Sequence, residues 1–319
     1  MRIVVLDGFT LNPGDLSWDG VRASGEVTVH ERTPAEQIVA RAADADVVVT
    51  NKVALNAATI AALPKLKFIA VTATGYNIVD VAAARGRGVV VSNVPAYSTD
   101  SVAQLTLGLL LELTSRVGAH ARAVAAGEWA GCQDFSFVKG PLVELAAKTI
   151  GIVGFGTIGQ RVGAVASALG MNVVAMRRSA GPLPAAGYAV RAVDRATLFK
   201  ESDVVSLHCP LTAENAGFVN AALINTMKST AIFLNTARGG LVNEADLAAA
   251  LNSGRIAGAG LDVLSVEPPP ASNPLLTAKN CVITPHIAWA SFEARQRCMA
   301  ITVQNVAAFA AGKPVNVVS

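Results

Sequence analysis

Short runs of β-branched residues alternate with alanine-rich stretches of helical spacing, in two successive series, and no other feature narrows the fold as far. The first series holds "RIVVLDG", "EVTVHE", "DVVVTN", "KFIAVTATG" and "GVVVSNV", separated by helical text such as "TPAEQIVARAADA" and "NAATIAALP". The second begins at "KTIGIVGFG" and continues through "MNVVAMRR", "DVVSLHCP", "TAIFLNTARGG", "AGAGLDVL" and "NCVITPHI". Apolar strands alternating with helices are buried on both faces of a parallel sheet, so the chain reads as α/β with two doubly wound Rossmann-like domains. At 319 residues and 52% hydrophobic, it can fill a core in each.

Two stretches lie outside the alternation. "STDSVAQLTLGLLLELTSRVGAHARAVAAG" predicts a long helix capped by Ser98 or Thr99, with more apolar residues than one surface stripe needs. It therefore predicts burial between domains or between subunits. "SFEARQRCMAITVQNVAAFAAGKP" predicts a second long helix, ended by Gly312 and Pro314, that returns to the first domain. Trp129 either closes a neighbouring subunit's cleft or fills a core.

Composition excludes several classes. Net charge is +3, the basic residues are scattered and aromatic residues make up 5%, so no stripe of cations and stacking rings awaits nucleic acid. The greasiest run, "LTLGLLLELT", is broken by Glu112 and is too short to span a membrane. The opening "MRIVVLDGFT" lacks a signal segment. The four cysteines, Cys132, Cys209, Cys281 and Cys298, have neither zinc-ligand nor disulfide-framework spacing. The expectation is a cytoplasmic protein with free thiols, no metal and no membrane or nucleic-acid partner.

The chemistry is carried by a few positions. "TIGIVGFGTIGQRVG" sets Gly154, Gly156 and Gly159 in a GxGxxG turn between a strand and a helix, with Thr157 and Ile158 opening the helix. Such a turn lets backbone N–H groups approach a pyrophosphate at a helix N-terminus. At the end of the next strand, where a carboxylate would bind the ribose hydroxyls of NAD, stand Arg177, Arg178 and Ser179, and no Asp or Glu occurs from Val173 to Val193. Two guanidinium groups and a hydroxyl suit a 2′-phosphate, so the site reads as preferring NADP(H), with NAD(H) also possible. The competing reading makes the arginines solvated loop residues indifferent to the phosphate. Arg238 after "AIFLNTA", Glu267 in "LSVEPPP" and His286 after "NCVITP" offer a carboxylate grip, an orienting carboxylate and a proton carrier, the set that reduction of a 2-oxo acid needs. Taken singly, each also reads as an ordinary turn or surface residue.

"VGFGTIGQRVG", "HCPLTAENAGFVN", "FLNTARGGLVNEADLAAALNSGRIAGAGLDVLSVEP" and "ITPHIAWAS", in this order, resemble the D-isomer-specific 2-hydroxyacid dehydrogenases over nearly the whole chain. The text is most similar to the glycerate dehydrogenase, hydroxypyruvate reductase and glyoxylate reductase branch. The resemblance implies that a cofactor domain, residues 100–287, is inserted into a substrate domain, residues 1–99 and 288–319. It implies that Arg238 binds the substrate carboxylate and carbonyl, that His286 is the acid/base and that Glu267 raises its basicity. It further implies that Asp262 holds the nicotinamide carboxamide, that Cys209, Pro210, Thr236 and Ala237 line the cofactor, and that Thr74 and Gly75 cradle the substrate carboxylate. Lys52 reaches the same substrate or is simply solvated. The pairing of similar enzymes through the region 98–117 implies a homodimer. The expected substrate is a small 2-oxo acid, hydroxypyruvate or glyoxylate. The alternative is a dinucleotide-sensing binding protein of the same fold, which turnover would separate from an enzyme.

Overall fold

The computed structural model describes residues 1–177 and 182–319, so Arg178 and Ser179 lie outside the described residues. The chain divides into two compact units, one made of residues 1–98 and 290–319 and the other of residues 99–289.

The first unit is built on a five-stranded parallel sheet. Its strands are β1 (Arg2–Val5), β2 (Glu26–Val29), β3 (Val47–Thr50), β4 (Phe68–Val71) and β5 (Val90–Ser92), in the order β2-β1-β3-β4-β5. β3 and β4 are buried at every position, as strands covered on both faces must be, and this is why their text is Val, Ile, Phe and Ala apart from Thr50 at the end of β3. Helix starts are set by short polar side chains: Asn56 accepts from Thr59 N and Asp80 from Ala83 N, each at 2.9 Å. The last helix, Phe292–Ala310, is capped by Ser291 and joins this unit. Its Phe309 ring stacks on Phe68 of β4 at 4.5 Å, and Arg295 grips both oxygens of Asp15 at 2.6 Å. Gly312, at φ +73°, lies just beyond its end.

The second unit carries a seven-stranded parallel sheet: β6 (Thr149–Val153), β7 (Asn172–Met176), β8 (Val190–Ala192), β9 (Val204–Leu207), β10 (Ile232–Asn235), β11 (Gly258–Leu261) and β12 (Cys281–Ile283). Their order is β12-β11-β10-β9-β6-β7-β8. β8 has no counterpart in the sequence reading: it is three residues long, partly exposed, and follows glycine- and proline-rich text. The chain leaves β6 toward β7 and β8, then returns to β9 on the other side. The crevice between β6 and β9 is therefore the point where winding reverses, the place at which open parallel sheets receive ligands.

The long helix read in residues 98–127 is two helices, Thr99–Ser115 and Val117–Ala125. Arg116 adopts a left-handed conformation, φ +52°, and Glu112 Oε2 accepts from Gly118 N at 3.0 Å, so a carboxylate from one helix caps the start of the next. The apolar face of Thr99–Ser115 is covered within its own unit: a Cβ at Gly260 of β11 would lie 2.9 Å from Leu109. Exposed apolar side chains follow it instead, among them Val117, Trp129, Phe135, Val138 and Leu142. Trp129 is 53% exposed, so the core alternative for it does not hold. Among the described residues, no helix is long and apolar enough to cross a membrane.

Candidate active site

At the β6/β9 crevice the glycine turn is shaped by what it excludes. Gly154 has φ +96°, and a Cβ there would meet Cys209 N and the His208 carbonyl at 2.7 Å. A Cβ on Gly159 would strike the Gly154 carbonyl, so its absence lets the helix Thr157–Ala168 start hard against the turn. Gly156 faces open space, with nothing within 4 Å of a Cβ position. Among the described residues no side chain caps that helix, so the first-turn N–H groups of Thr157 and Ile158 lie at the same opening with the positive end of the helix dipole. Backbone donors, free space and a helix N-terminus fit a dinucleotide pyrophosphate.

The equivalent crevice of the first unit, between β1 and β3, is already filled by the chain itself. The buried Asp7 carboxylate accepts from Asn51 N, Lys52 N and Val53 N at 2.5 to 3.2 Å. An internal carboxylate thus occupies the backbone donors that an incoming anion would use at this crevice. Lys52 itself is exposed on this turn. Thr74 Oγ1 donates to Val94 O at 2.8 Å and the Thr74 carbonyl accepts from Asn93 Nδ2 at 2.8 Å, which fixes the turn carrying Thr74 and Gly75.

Around the dinucleotide crevice, Arg177 is exposed at the end of β7, and its Nη1 donates to Pro182 O at 3.1 Å. Cys209 is partly buried, and burial pushes its thiol up. Pro210 O accepts from Asn215 Nδ2 at 2.8 Å. Thr236 is buried, its hydroxyl 2.9 Å from that of Thr106 on the helix Thr99–Ser115.

Three loops of the second unit bring the remaining polar residues together. His286 follows β12 in a left-handed conformation, φ +55°, with its Nδ1 2.6 Å from Glu267 Oε2. The other Glu267 oxygen, Oε1, accepts from Leu264 N at 3.0 Å, so the carboxylate is fixed at both ends. Arg238 follows β10 and is exposed, its Nη1 donating to the Ala237 carbonyl at 2.7 Å. Gly239 brings its turn against the Glu267 loop, since a Cβ there would run into the backbone of Leu264 and Ser265.

Two supporting residues were given another role or none by the sequence reading. Asp262, 1% exposed, accepts from Thr284 Oγ1 at 2.6 Å, Ile287 N at 2.9 Å and Ala288 N at 2.8 Å, so its carboxylate braces the loop bearing His286. Burial raises its pKa above 3.8 against those hydrogen bonds and the nearby His286. Glu244 accepts from Ser265 N at 2.6 Å and Asn273 Nδ2 at 2.8 Å, tying down the loop of Glu267. Neither role has a local signal, because the donors are mainly backbone groups some 20 to 30 residues away.

Comparison with known proteins gives the family of the chain. Residues 107–288 match the family described as D-isomer specific 2-hydroxyacid dehydrogenase, NAD binding domain. The chain is 48% identical over 322 residues to a hydroxypyruvate reductase of Blautia hydrogenotrophica, covering 100% of both. It is 42% identical over 285 residues to a glycerate dehydrogenase of Methylorubrum extorquens, covering 89% of this chain and 88% of that protein. An acyclic imino acid reductase, solved in complex with NADPH and D-arginine, superposes over 100% of both chains with a TM-score of 0.88 and 31% identity. A fold with a dinucleotide crevice, and likeness along the full chain to dehydrogenases and reductases, lead to one conclusion: this chain is an enzyme of the D-isomer-specific 2-hydroxyacid dehydrogenase family, using a nicotinamide dinucleotide.

Proposed function

We propose that this enzyme reduces hydroxypyruvate or glyoxylate, prefers NADPH, and uses His286 as its acid/base. The observation that carries the reading is the 2.6 Å contact between His286 Nδ1 and Glu267 Oε2. It engages one ring nitrogen and leaves Nε2 to exchange the proton. Bound reduced nicotinamide supplies a hydride to C2 of the 2-oxo acid. His286 Nε2 delivers a proton to the carbonyl oxygen, while Glu267, held by Leu264 N, keeps the ring in one orientation. Arg238 takes the substrate carboxylate in its two-pronged grip and offsets the charge developing at the carbonyl. Thr74, Gly75 and Lys52 of the first unit contribute to substrate binding, and Asp262, Cys209, Pro210, Thr236 and Ala237 to the cofactor's surroundings.

The NADPH preference is supported by Arg177 at the end of β7 and by the absence of acidic residues from Val173 to Val193. The run of exposed apolar side chains from Val117 to Leu142 supports a homodimer, which would cover them. Free thiols at Cys132, Cys209, Cys281 and Cys298 suit a reducing cytoplasm.

Following NAD(P)H absorbance with both cofactors against hydroxypyruvate, glyoxylate, pyruvate and phenylpyruvate tests the reading. The expected result is the highest kcat/KM with NADPH and one of the first two acids. Tight cofactor binding without turnover of any of them would favour a dinucleotide sensor.

A further inference from the structure

We infer that Asn235 is a positioning residue that sets the direction in which Arg238 presents its guanidinium; this rests on the reading of Arg238 as the group that grips the substrate carboxylate. Asn235 is the last residue of β10 and is 1% exposed, following Ile232, Phe233 and Leu234, all buried. Burying an amide in such company is costly unless its hydrogen bonds are made. Its backbone carbonyl serves the sheet, accepting from Asp262 N at 2.9 Å. The side chain turns forward along the chain instead. Oδ1 accepts from Ala237 N at 3.0 Å and Nδ2 donates to Arg238 O at 2.9 Å. One rigid amide therefore holds both ends of the turn that launches Arg238, using an acceptor and a donor at once.

The residues flanking Arg238 are held as well. Thr106 Oγ1 donates to Val102 O at 2.7 Å, so the proton in the 2.9 Å hydroxyl pair comes from Thr236, which is thereby anchored to the helix Thr99–Ser115. On the other side Gly239 lies flush on Leu264 and Ser265. Arg238, with extended backbone at φ −148° and ψ 132°, is the exposed side chain between these two anchored neighbours. Its Cα–Cβ direction depends on the peptide plane whose carbonyl Asn235 holds. Without that bond, rotation of the plane would swing the guanidinium without disturbing the sheet.

A double-mutant cycle tests this, read as KM and kcat for hydroxypyruvate, Kd for oxalate, Kd for NADPH and Tm. Asn235→Asp is nearly isosteric and keeps the acceptor for Ala237 N, but it sets an oxygen against Arg238 O. In otherwise wild-type enzyme, KM and oxalate Kd should rise about tenfold, with NADPH Kd changed less than about twofold. In an Arg238→Ala background the same substitution should change them less than about twofold. Equal losses in both backgrounds, or no loss in the first, overturn the inference, because Asn235 would then act on the sheet or on nothing. An Arg238→Ala enzyme with wild-type KM overturns the reading of Arg238 itself, and the inference with it. Should Asn235→Asp fail to fold, Asn235→Ser, which keeps an acceptor and shortens the reach to Arg238 O, is read in the same cycle.

Discussion

Glu267 faces two donors at once, His286 Nδ1 at 2.6 Å from Oε2 and Leu264 N at 3.0 Å from Oε1. A glutamine has one acceptor oxygen, so Glu267→Gln must turn its NH2 toward one of the two. Either the imidazole loses its fixed orientation or the loop loses its internal tie. We expect kcat/KM to fall by about 10- to 100-fold, with cofactor affinity retained. Steady-state kinetics together with a cofactor titration check this, and unimpaired turnover would remove Glu267 from the mechanism.

His286→Gln removes the proposed proton carrier while keeping a polar side chain of similar reach. The positive φ of His286 is set by its loop, in which His286 N donates to Asp262 O at 2.8 Å and the Asp262 carboxylate holds residues 284, 287 and 288. The loop should therefore survive the change. Turnover is expected to drop by about 100- to 10,000-fold while cofactor Kd stays within about twofold. Near-normal turnover would show that another group supplies the proton.

Much of this was legible in the sequence because it is local. Gly154, Gly156 and Gly159 announce a turn by their spacing, and eleven of the described strands fall within short, mostly apolar runs between helical stretches. What escaped depends on contacts between distant segments. Asp7 and the backbone at Asn51 are 44 residues apart, and no pattern near Asp7 says that it will fill the first unit's crevice. The break at Arg116 carries neither glycine nor proline; it is stabilised by Glu112 reaching forward to Gly118 N. β8 is a short edge strand with little buried surface, so it lacks the periodicity that marks the others.

Arg177 is the described residue through which the proposed NADPH preference can be tested. Arg177→Asp replaces an attraction for the 2′-phosphate by a repulsion and supplies the acceptor that a ribose diol prefers. The ratio of kcat/KM for NADPH over NADH should fall by at least about tenfold, as expected for loss of a charge-assisted hydrogen bond. An unchanged ratio would make Arg177 a solvated loop residue.

The exposed apolar side chains of the segment after Arg116 give the proposed homodimer a testable interface. Val124 lies on the helix Val117–Ala125 and is 45% exposed. If this face is the dimer interface, Val124→Glu buries a carboxylate with no partner among apolar groups. Sedimentation velocity should find a dimer in the wild type and a shift toward monomer in the variant at micromolar concentration. A variant that remains dimeric with unchanged affinity places the interface elsewhere.

His208 links acid stability to the dinucleotide crevice. It follows β9, its carbonyl abuts Gly154, and its Nε2 lies 2.8 Å from Ser206 Oγ. Burial pushes its pKa from 6.5 down to about 3. The unfolded chain therefore takes up a proton near pH 6.5 that the folded chain refuses until about pH 3. Between those values the unfolded state binds more protons, so the stability contributed by neutral His208 is fully present above about pH 6.5 and is lost as pH falls toward 3. For this one group the slope cannot exceed about 1.4 kcal/mol per pH unit. His30 acts in the same direction, lowered by burial and by the Arg41 guanidinium, so His208 accounts for part of the slope. Carboxylates such as Asp46, held below 3.8 by Lys67, start to lose their contribution only at more acid pH. His208→Gln, which keeps a neutral polar side chain beside Ser206, should flatten the decline in urea midpoint between about pH 6.5 and pH 5. An acid limb as steep as that of the wild type would mean that His208 is protonated in the folded enzyme.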